Sequence, residues 1–447
     1  MFRNLTIWSV IAILVMAGCA PQGTPEPTPM PTQPAATPEP TPTPTQPAAT
    51  PVQVQLEFWH AMSGDSADVL EAMVARFNEQ HPAIQVEASF QGKYSDIAGK
   101  FWTAIQAEAV PPPDVAQIGG APMFGATGAV APITDFTDGP NGIDRRQIYD
   151  AFWAYNTAGG KLWTIPFNNS MPILAYNRDL FMAAALDPDS PPETWDELAD
   201  AARALTRDTD GDGQVDQWGF NTTSSTHWYL SAMILQNGGR IINDDETRVL
   251  YDGPEAVEAL EFWGDLVYTH KVMPPAQHKA AEGDFLAGKL GMLMRSSAGL
   301  ASTVEEAPFE VGVAMLPAKK SRVAPIGGAS LVIVQSEPEK MNAAWEFVKW
   351  MTSPENSNHW AMSTGYIPIY KGALESEEMQ QFLKDNPLYG TVVEQLEYSY
   401  GIPVFSELGT SDTELRQAVE KVELGAATAE EALRSAAEAV NSALSGE

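Results

Sequence analysis

Residues 52–58 alternate apolar and polar side chains with the period of two that a half-buried strand requires. Val69, Leu70, Met73, Val74 and Phe77 then recur at the three- and four-residue spacing of an amphipathic helix, which His81-Pro82 stops. A second strand is expected over 84–90, a second amphipathic helix from Tyr94 to Ala109, and a third strand over 113–118, closed by Gly119-Gly120. This βαβαβ order predicts a largely parallel sheet with ligand loops at the carboxyl ends of its strands. The alternation returns in the second half of the chain. Thr194 and Glu197 have capping-box spacing at the start of a helix, and another helix lies within 252–270. Strands are expected over 289–297, 311–316 and 330–335, and helices over 342–351, over 412–424 and from the capping box Thr428–Glu431. Leu433, Ala437, Val440 and Leu444 line one face of that last helix, as core packing does.

Between the two halves, residues 163–177 break the pattern. An apolar entry leads to Asn168, Asn169 and Ser170, held between Pro166 and Pro172, and an apolar run over 173–176 reads as a buried strand. Each proline fixes its own φ, so the polar knot is stiff. Two amides and a hydroxyl between rigid flanks suit a ligand with hydroxyls or an oxyanion; the alternative is a stiff turn between two strands. Trp59, Trp163, Trp195 and Trp228 stand at element edges beside polar loops. Aromatic faces in such places stack on sugars or polyols, or else anchor loops to the core.

At 447 residues and 44% hydrophobic content the chain can fill two or three domains. A formal net charge of −32 argues against nucleic acid or an anionic membrane surface as a partner. The one cysteine, Cys19, excludes an intramolecular disulfide and follows an export-signal layout: Arg3, an apolar run over 7–15, then Met16-Ala17-Gly18. Residues 1–18 are therefore read as a signal peptide. The segment 19–51, rich in Pro and Thr, is read as an extended tether that would reach on the order of 90 Å. No later stretch is apolar enough to span a bilayer.

Enzyme signatures are mostly missing. No Gly-x-Ser-x-Gly elbow, His-Glu-x-x-His pair or Cys-His set occurs. Gly283 to Lys289 has Walker-type spacing, but Leu290 replaces the magnesium-binding hydroxyl and Gly288 fits a helix end. A glycosidase would need two carboxylates across a cleft, for which Asp65, Asp114 and Glu397 are the candidates. The six histidines show no ligand spacing. The sharpest local motif is the acidic loop from Asp208 to Asp216. Asp208, Asp210 and Asp212 offer side-chain oxygens, Gln214 a carbonyl and Asp216 a direct or water-mediated ligand, with Gly213 at the turning point. This matches the first half of a calcium loop, although Gly219 stands where the bidentate Glu belongs; the alternative is a solvated acidic turn.

Four segments, taken in order, carry a family resemblance: Phe58-Trp59-His60-Ala61-Met62-Ser63-Gly64, the stretch from Pro166 to Asn177, Ile326-Gly327-Gly328-Ala329-Ser330-Leu331, and Thr364-Gly365-Tyr366-Ile367-Pro368-Ile369. They resemble the extracytoplasmic solute-binding proteins of ABC importers, in the maltose-binding-protein-like branch that includes glycerol-3-phosphate binders. The N-terminus is similar to a bacterial lipoprotein signal in which Cys19 is lipidated, with Met16 where Leu is usual. The resemblance implies a two-lobed α/β fold, each lobe a mostly parallel sheet flanked by helices, with the ligand cleft between them. The lobes would be 52–166 with 329–372, and 167–328 with 373–447. It places phosphate-contacting hydroxyls at Ser170 and Ser296, cleft tyrosines at Tyr94 and Tyr366, a glycine amide at Gly328 and a stacking tryptophan at Trp195. The family's cleft carboxylate falls on Gly120, and its arginine nearest to Arg416, with Arg295 the fallback. The implied protein is a lipid-anchored monomer on the extracytoplasmic face of the membrane. It would need no cofactor beyond a structural calcium ion, would have no catalytic activity, and would feed a permease with glycerol-3-phosphate, a glycerophosphodiester or, in the alternative, a neutral oligosaccharide.

Overall fold

The computed structural model describes residues 53–107 and 112–446. The export signal, Cys19 and the Pro/Thr-rich tether lie outside the described residues, as does the end expected for the second helix at Ala109.

The first five elements fall where the alternation placed them: β1 (Val54–His60), α1 (Asp65–Gln80), β2 (Ile84–Phe90), α2 (Tyr94–Gln106) and β3 (Val115–Ile118). In α1 the apolar stripe Leu70, Met73, Val74 and Phe77 is buried while Val69 lies at its margin. The polar knot is not a turn. β4 (Ile165–Ser170) and β5 (Pro172–Asn177) are separated only by Met171, and every residue of both is buried. Beyond them come α3 (Trp195–Leu205), β6 (Trp218–Thr222), α4 (Thr226–Gln236), α5 (Pro254–Tyr268), β7 (Leu290–Ser296) and β8 (Val311–Ala314). The chain continues through β9 (Gly327–Ile333), α6 (Pro338–Met351), α7 (Pro354–Thr364), α8 (Leu408–Glu423) and α9 (Ala429–Ser445). Thr194 and Thr428 each close the expected capping box with the residue three places on.

Two sheets result. The first has the order β2-β1-β3-β9-β4 and the second β8-β5-β7-β6. Parallel direction holds with one reversed strand in each: β9 runs antiparallel to β3 and β4, and β5 antiparallel to β7 and β8. The reason is connectivity. β5 enters straight from the other sheet, without the crossover helix that makes sequential strands parallel. β4 and β9 stay paired as far as Ser170 and Gly327.

Separate cores cover the two sheets. Phe58, Phe77 and Phe347 pack edge to face in the first, at centroid distances of 5.1–5.3 Å. Trp195, Phe220, Trp263 and the buried faces of α8 and α9 fill the second. Leu433, Ala437 and Val440 are fully buried there, with Leu444 at the edge. A third cluster, with Met171, Ile173, Ile326, Ile367 and Ile369, gathers the segments that pass between the sheets. Glu423, fully buried at the end of α8, fixes that helix to its neighbours. Its carboxylate accepts from Trp263 Nε1 (2.5 Å) and Ala276 N (2.9 Å) and pairs with His278 Nε2 (3.0 Å).

Candidate ligand-binding site

Three passages of the chain between the sheets meet at Asn169. Its Nδ2 donates to the Gly327 carbonyl (3.0 Å), its own carbonyl accepts from Ile367 N (3.1 Å), and the β4–β5 junction follows two residues on. Asn168 and Asn169 are fully buried, and the Oδ1 of each lacks a hydrogen-bond partner among the described residues. A buried amide oxygen without a donor costs about 1–3 kcal/mol, so both positions favour a ligand that brings donors. Beside them the Ser170 hydroxyl is unpaired among the described residues. Gly328 has φ +92°, and a Cβ there would lie 2.2 Å from the Asn168 carbonyl oxygen, so no other residue fits. Its own carbonyl accepts from the Tyr155 hydroxyl (3.1 Å).

Aromatic side chains rise from this floor. Tyr94 opens α2, and its hydroxyl lies 3.1 Å from that of Tyr366 and accepts from Asn168 Nδ2. Burial, reinforced by Tyr366, holds the Tyr94 phenol well above its usual pKa, so it stays neutral. Tyr366 stacks on Trp360 (5.7 Å), which stacks in turn on Phe167 (4.9 Å). Ser296 ends β7 and accepts from Ala298 N (3.3 Å), while Ser297 Oγ accepts from Met171 N (3.2 Å) at the junction itself. The Trp228 ring lies against Gly327, where a Cβ would come within 2.6 Å of it. Its Nε1 has no hydrogen-bond partner among the described residues, nor do Thr226 Oγ1 and His227 Nδ1 at the start of α4.

Opposite α4, helix α8 presents Asp412, 3.7 Å from His227 Nε2, and one turn later the exposed Arg416. Arg416 has no ion-pair or hydrogen-bond partner among the described residues. Burial, then the Arg416 charge, pushes His227 down to about 4, so its imidazole is neutral. Burial lifts Asp412 to about 7, against the pull of Arg416.

Of the residues proposed from sequence, Tyr94, Ser170, Gly328 and Tyr366 come together around Asn168 and Asn169, with Ser296 adjoining. Arg416 lies on the α8 side, near His227. Trp195 does not join them. It is 2% exposed in the second core, stacked on Phe262 (5.0 Å), and its Nε1 is satisfied by Gln236 (3.0 Å). The first turn of α3 needs a large apolar residue facing inward, and that is the role Trp195 fills. Arg295 is also occupied elsewhere, paired with Glu282 (3.0 Å) and bonded to Thr303, on the far side of β7 from Ser296. Tyr155, His227 and Asp412 were missed as site residues, whereas Asn168 and Asn169 belong to the polar knot already marked for a ligand. Trp228, in the polar run Ser224-Ser225-Thr226-His227, was already marked by its setting.

The acidic loop brings together the carboxylates of Asp208, Asp210 and Asp216, with oxygens within 4.8 Å of one another and all exposed. Asp212 is not in that group, and its carboxylate accepts from Gln214 N (2.7 Å). Asp208 accepts from Gly211 N and Gly213 N (2.7 and 2.9 Å), which fixes the loop's curvature.

A polar floor with aromatic walls lies where three chain passages join two α/β sheets, an arrangement suited to holding a small molecule. The chain belongs to the family of bacterial extracellular solute-binding proteins, whose family model matches residues 72–389. These are the ligand-capturing components of ABC importers, and the fold is their two-lobed α/β architecture. The chain is 29% identical over 353 residues to the sn-glycerol-3-phosphate-binding periplasmic protein UgpB of Escherichia coli (strain K12), covering 76% of this chain and 80% of that one. Among solved structures it is similar to the cyclic alpha-maltosyl-1,6-maltose binding protein from Arthrobacter globiformis (TM-score 0.76, 25% identity, 88% of this chain and 100% of that one). It is also similar to UgpB from Mycobacterium tuberculosis in complex with glycerophosphocholine (TM-score 0.77, 24% identity, 88% and 98%). The protein acts outside the cytoplasm, taking up a small molecule for delivery to a membrane permease.

Proposed function

We propose that the ligand is glycerol-3-phosphate or a glycerophosphodiester. The observation that carries this reading is the Arg416 guanidinium on α8, which has no ion-pair or hydrogen-bond partner among the described residues, beside a floor and walls of neutral amides, hydroxyls and aromatic rings. Ser170, Ser296 and the backbone at Gly328 would ring the phosphate, Tyr94, Tyr366 and Trp228 would flank the carbon skeleton, and Arg416 would supply the cation. A neutral oligosaccharide is the second reading. It is favoured by the orphaned Asn168 and Asn169 oxygens, which need donors that hydroxyls have and phosphate lacks. Calorimetric titration with glycerol-3-phosphate, glycerophosphocholine and maltose separates the two. Binding of maltose alone would end the phosphoester reading.

No covalent chemistry is assigned to the site. Asp114, one of the glycosidase candidates, is taken by Lys340 Nζ (2.9 Å) and Glu57 N (2.9 Å). We read the two sheets with their helices as the closing lobes and the passages around Met171, Gly327 and Tyr366 as the hinge. A monomer tethered through a lipid on Cys19 fits the N-terminal sequence, and Cys19→Ser would then release the protein from membranes or block its processing. Unchanged membrane retention of the processed variant would end that part. Calcium in the acidic loop is an accessory reading, resting on the grouping of Asp208, Asp210 and Asp216.

A further inference from the structure

We propose that a cavity between the start of α7 and the helix Glu377–Asp385, outside the cleft, binds a small organic cation with an aliphatic stem. The inference goes beyond the cleft reading and does not depend on which ligand the cleft takes. The cavity measures about 460 Å³, within the range of small-molecule sites. Arg146, Glu355, Asn358, Tyr370, Lys371 and Glu378 line it, and none of them belongs to the site around Asn169.

Two of these side chains are buried with hydrogen-bonding capacity unused. Tyr370 is 5% exposed, with its ring in the third cluster, and its hydroxyl has no hydrogen-bond partner among the described residues. Burial pushes this phenol up to about 12, so it stays neutral. Asn358 is 8% exposed, and its Oδ1 also lacks a partner among the described residues. Its Nδ2 reaches only Ser376 Oγ, at 3.4 Å. An amide oxygen and a phenol oxygen left in this state favour a ligand that brings donors.

The charges decide what kind of donor. Both basic groups are already paired: Arg146 grips Asp144 with two prongs (Nε–Oδ1 2.8 Å, Nη2–Oδ2 2.9 Å), and Lys371 Nζ lies 3.5 Å from Asp150. Glu355 and Glu378 have no ion-pair or hydrogen-bond partner among the described residues. Each stands in the first turn of its helix. Ser353 Oγ accepts from Asn356 N (3.4 Å) and Ser376 Oγ from Met379 N (3.2 Å), so at each helix start a side chain already takes an amide that an anion would seek. The groups that still want partners are therefore acceptors, two of them charged, beside the apolar walls of Pro354 and Ala373. An ammonium or guanidinium group supplies the donors, and an aliphatic stem covers the walls. The formal charge of −32 draws such a cation in at long range.

The experiment is calorimetric titration of the mature chain with agmatine, a guanidinium and an ammonium joined by an aliphatic stem, and with the uncharged 1,4-butanediol. A salt concentration of about 0.15 M screens the general surface charge. Agmatine should saturate at one molecule per chain, and butanediol should not bind. Tyr370→Phe, which keeps the ring and the net charge, should weaken agmatine severalfold, and Glu355→Gln combined with Glu378→Gln about tenfold. Asp179→Asn combined with Glu305→Gln removes the same charge from exposed positions elsewhere and should leave the affinity unchanged. Thermal melts verify that each variant is folded. Agmatine that does not saturate, or butanediol that binds as well, overturns the proposal. So does an agmatine affinity that both cavity variants leave unchanged, or that the distant pair lowers as much as the cavity pair.

Discussion

Asn168 and Asn169 are chemically identical neighbours that face different tasks. One donates to a tyrosine on α2 and the other ties β9 to the junction, yet each leaves its acceptor oxygen free. That pattern depends on Gly328, whose missing Cβ lets β9 press against the Asn168 carbonyl. Gly328→Ala should cost more than about 1 kcal/mol through its positive φ and should displace Asn168. Both the melting temperature and the affinity of whichever probe binds are expected to fall; unchanged values would mean that the floor is not held in this way. The tryptophans separate cleanly. Trp195→Ala should lower stability by about 3–5 kcal/mol while sparing affinity in the folded fraction. Trp228→Ala should do the reverse, as paired thermal melts and titrations will tell. The sequence placed both at element edges, and nothing local distinguishes them. What decides is a contact with Gly327, far along the chain, and a hydrogen bond that Trp195 donates to Gln236 on another helix.

At the scale of elements, period and caps carried most of the reading. β2 has the bounds expected from alternation, and both capping boxes form. α4 escaped because it is buried nearly all round, so no polar face marks its period. The β4–β5 passage escaped because a strand that changes sheets looks locally like two strands and a turn. α8 begins at Leu408, before the expected Asp412, and that extra turn carries the contact with Gly120. Its other end depends on Glu423. Glu423→Ala would leave Trp263 Nε1 and Ala276 N buried without an acceptor and should destabilise the fold by about 3 kcal/mol or more, read by denaturant titration. The acidic loop gives a milder outcome. If the grouped carboxylates of Asp208, Asp210 and Asp216 hold calcium, chelator lowers the melting temperature and added calcium restores it. Indifference to both would leave a solvated turn.

For the molecule as a whole, the dominant quantity is charge. With a formal −32, the protein repels a phosphate monoester, which carries close to two negative charges, at long range. Capture of such a ligand must rely on donors met only inside the cleft, and of these Arg416 carries the charge. The two contributions have different ranges, so salt separates them. The Debye length falls from about 30 Å at 0.01 M to about 8 Å at 0.15 M, which removes most of the repulsion from the distant surface. A guanidinium within hydrogen-bonding distance of its phosphate is screened far less. The association rate of glycerol-3-phosphate should therefore rise with salt over this range, while those of zwitterionic glycerophosphocholine and neutral maltose stay nearly flat. Arg416→Ala should keep the salt trend of the association rate and speed dissociation of the phosphoesters about tenfold, since it removes a charge-assisted hydrogen bond at the bound end. Stopped-flow tryptophan fluorescence, with Trp228 and Trp360 near the site, follows both rates. A glycerol-3-phosphate association rate that falls steeply with salt would mean that the cleft carries a positive field strong enough to outweigh the whole surface, and Arg416 could not then be the main source of anion recognition.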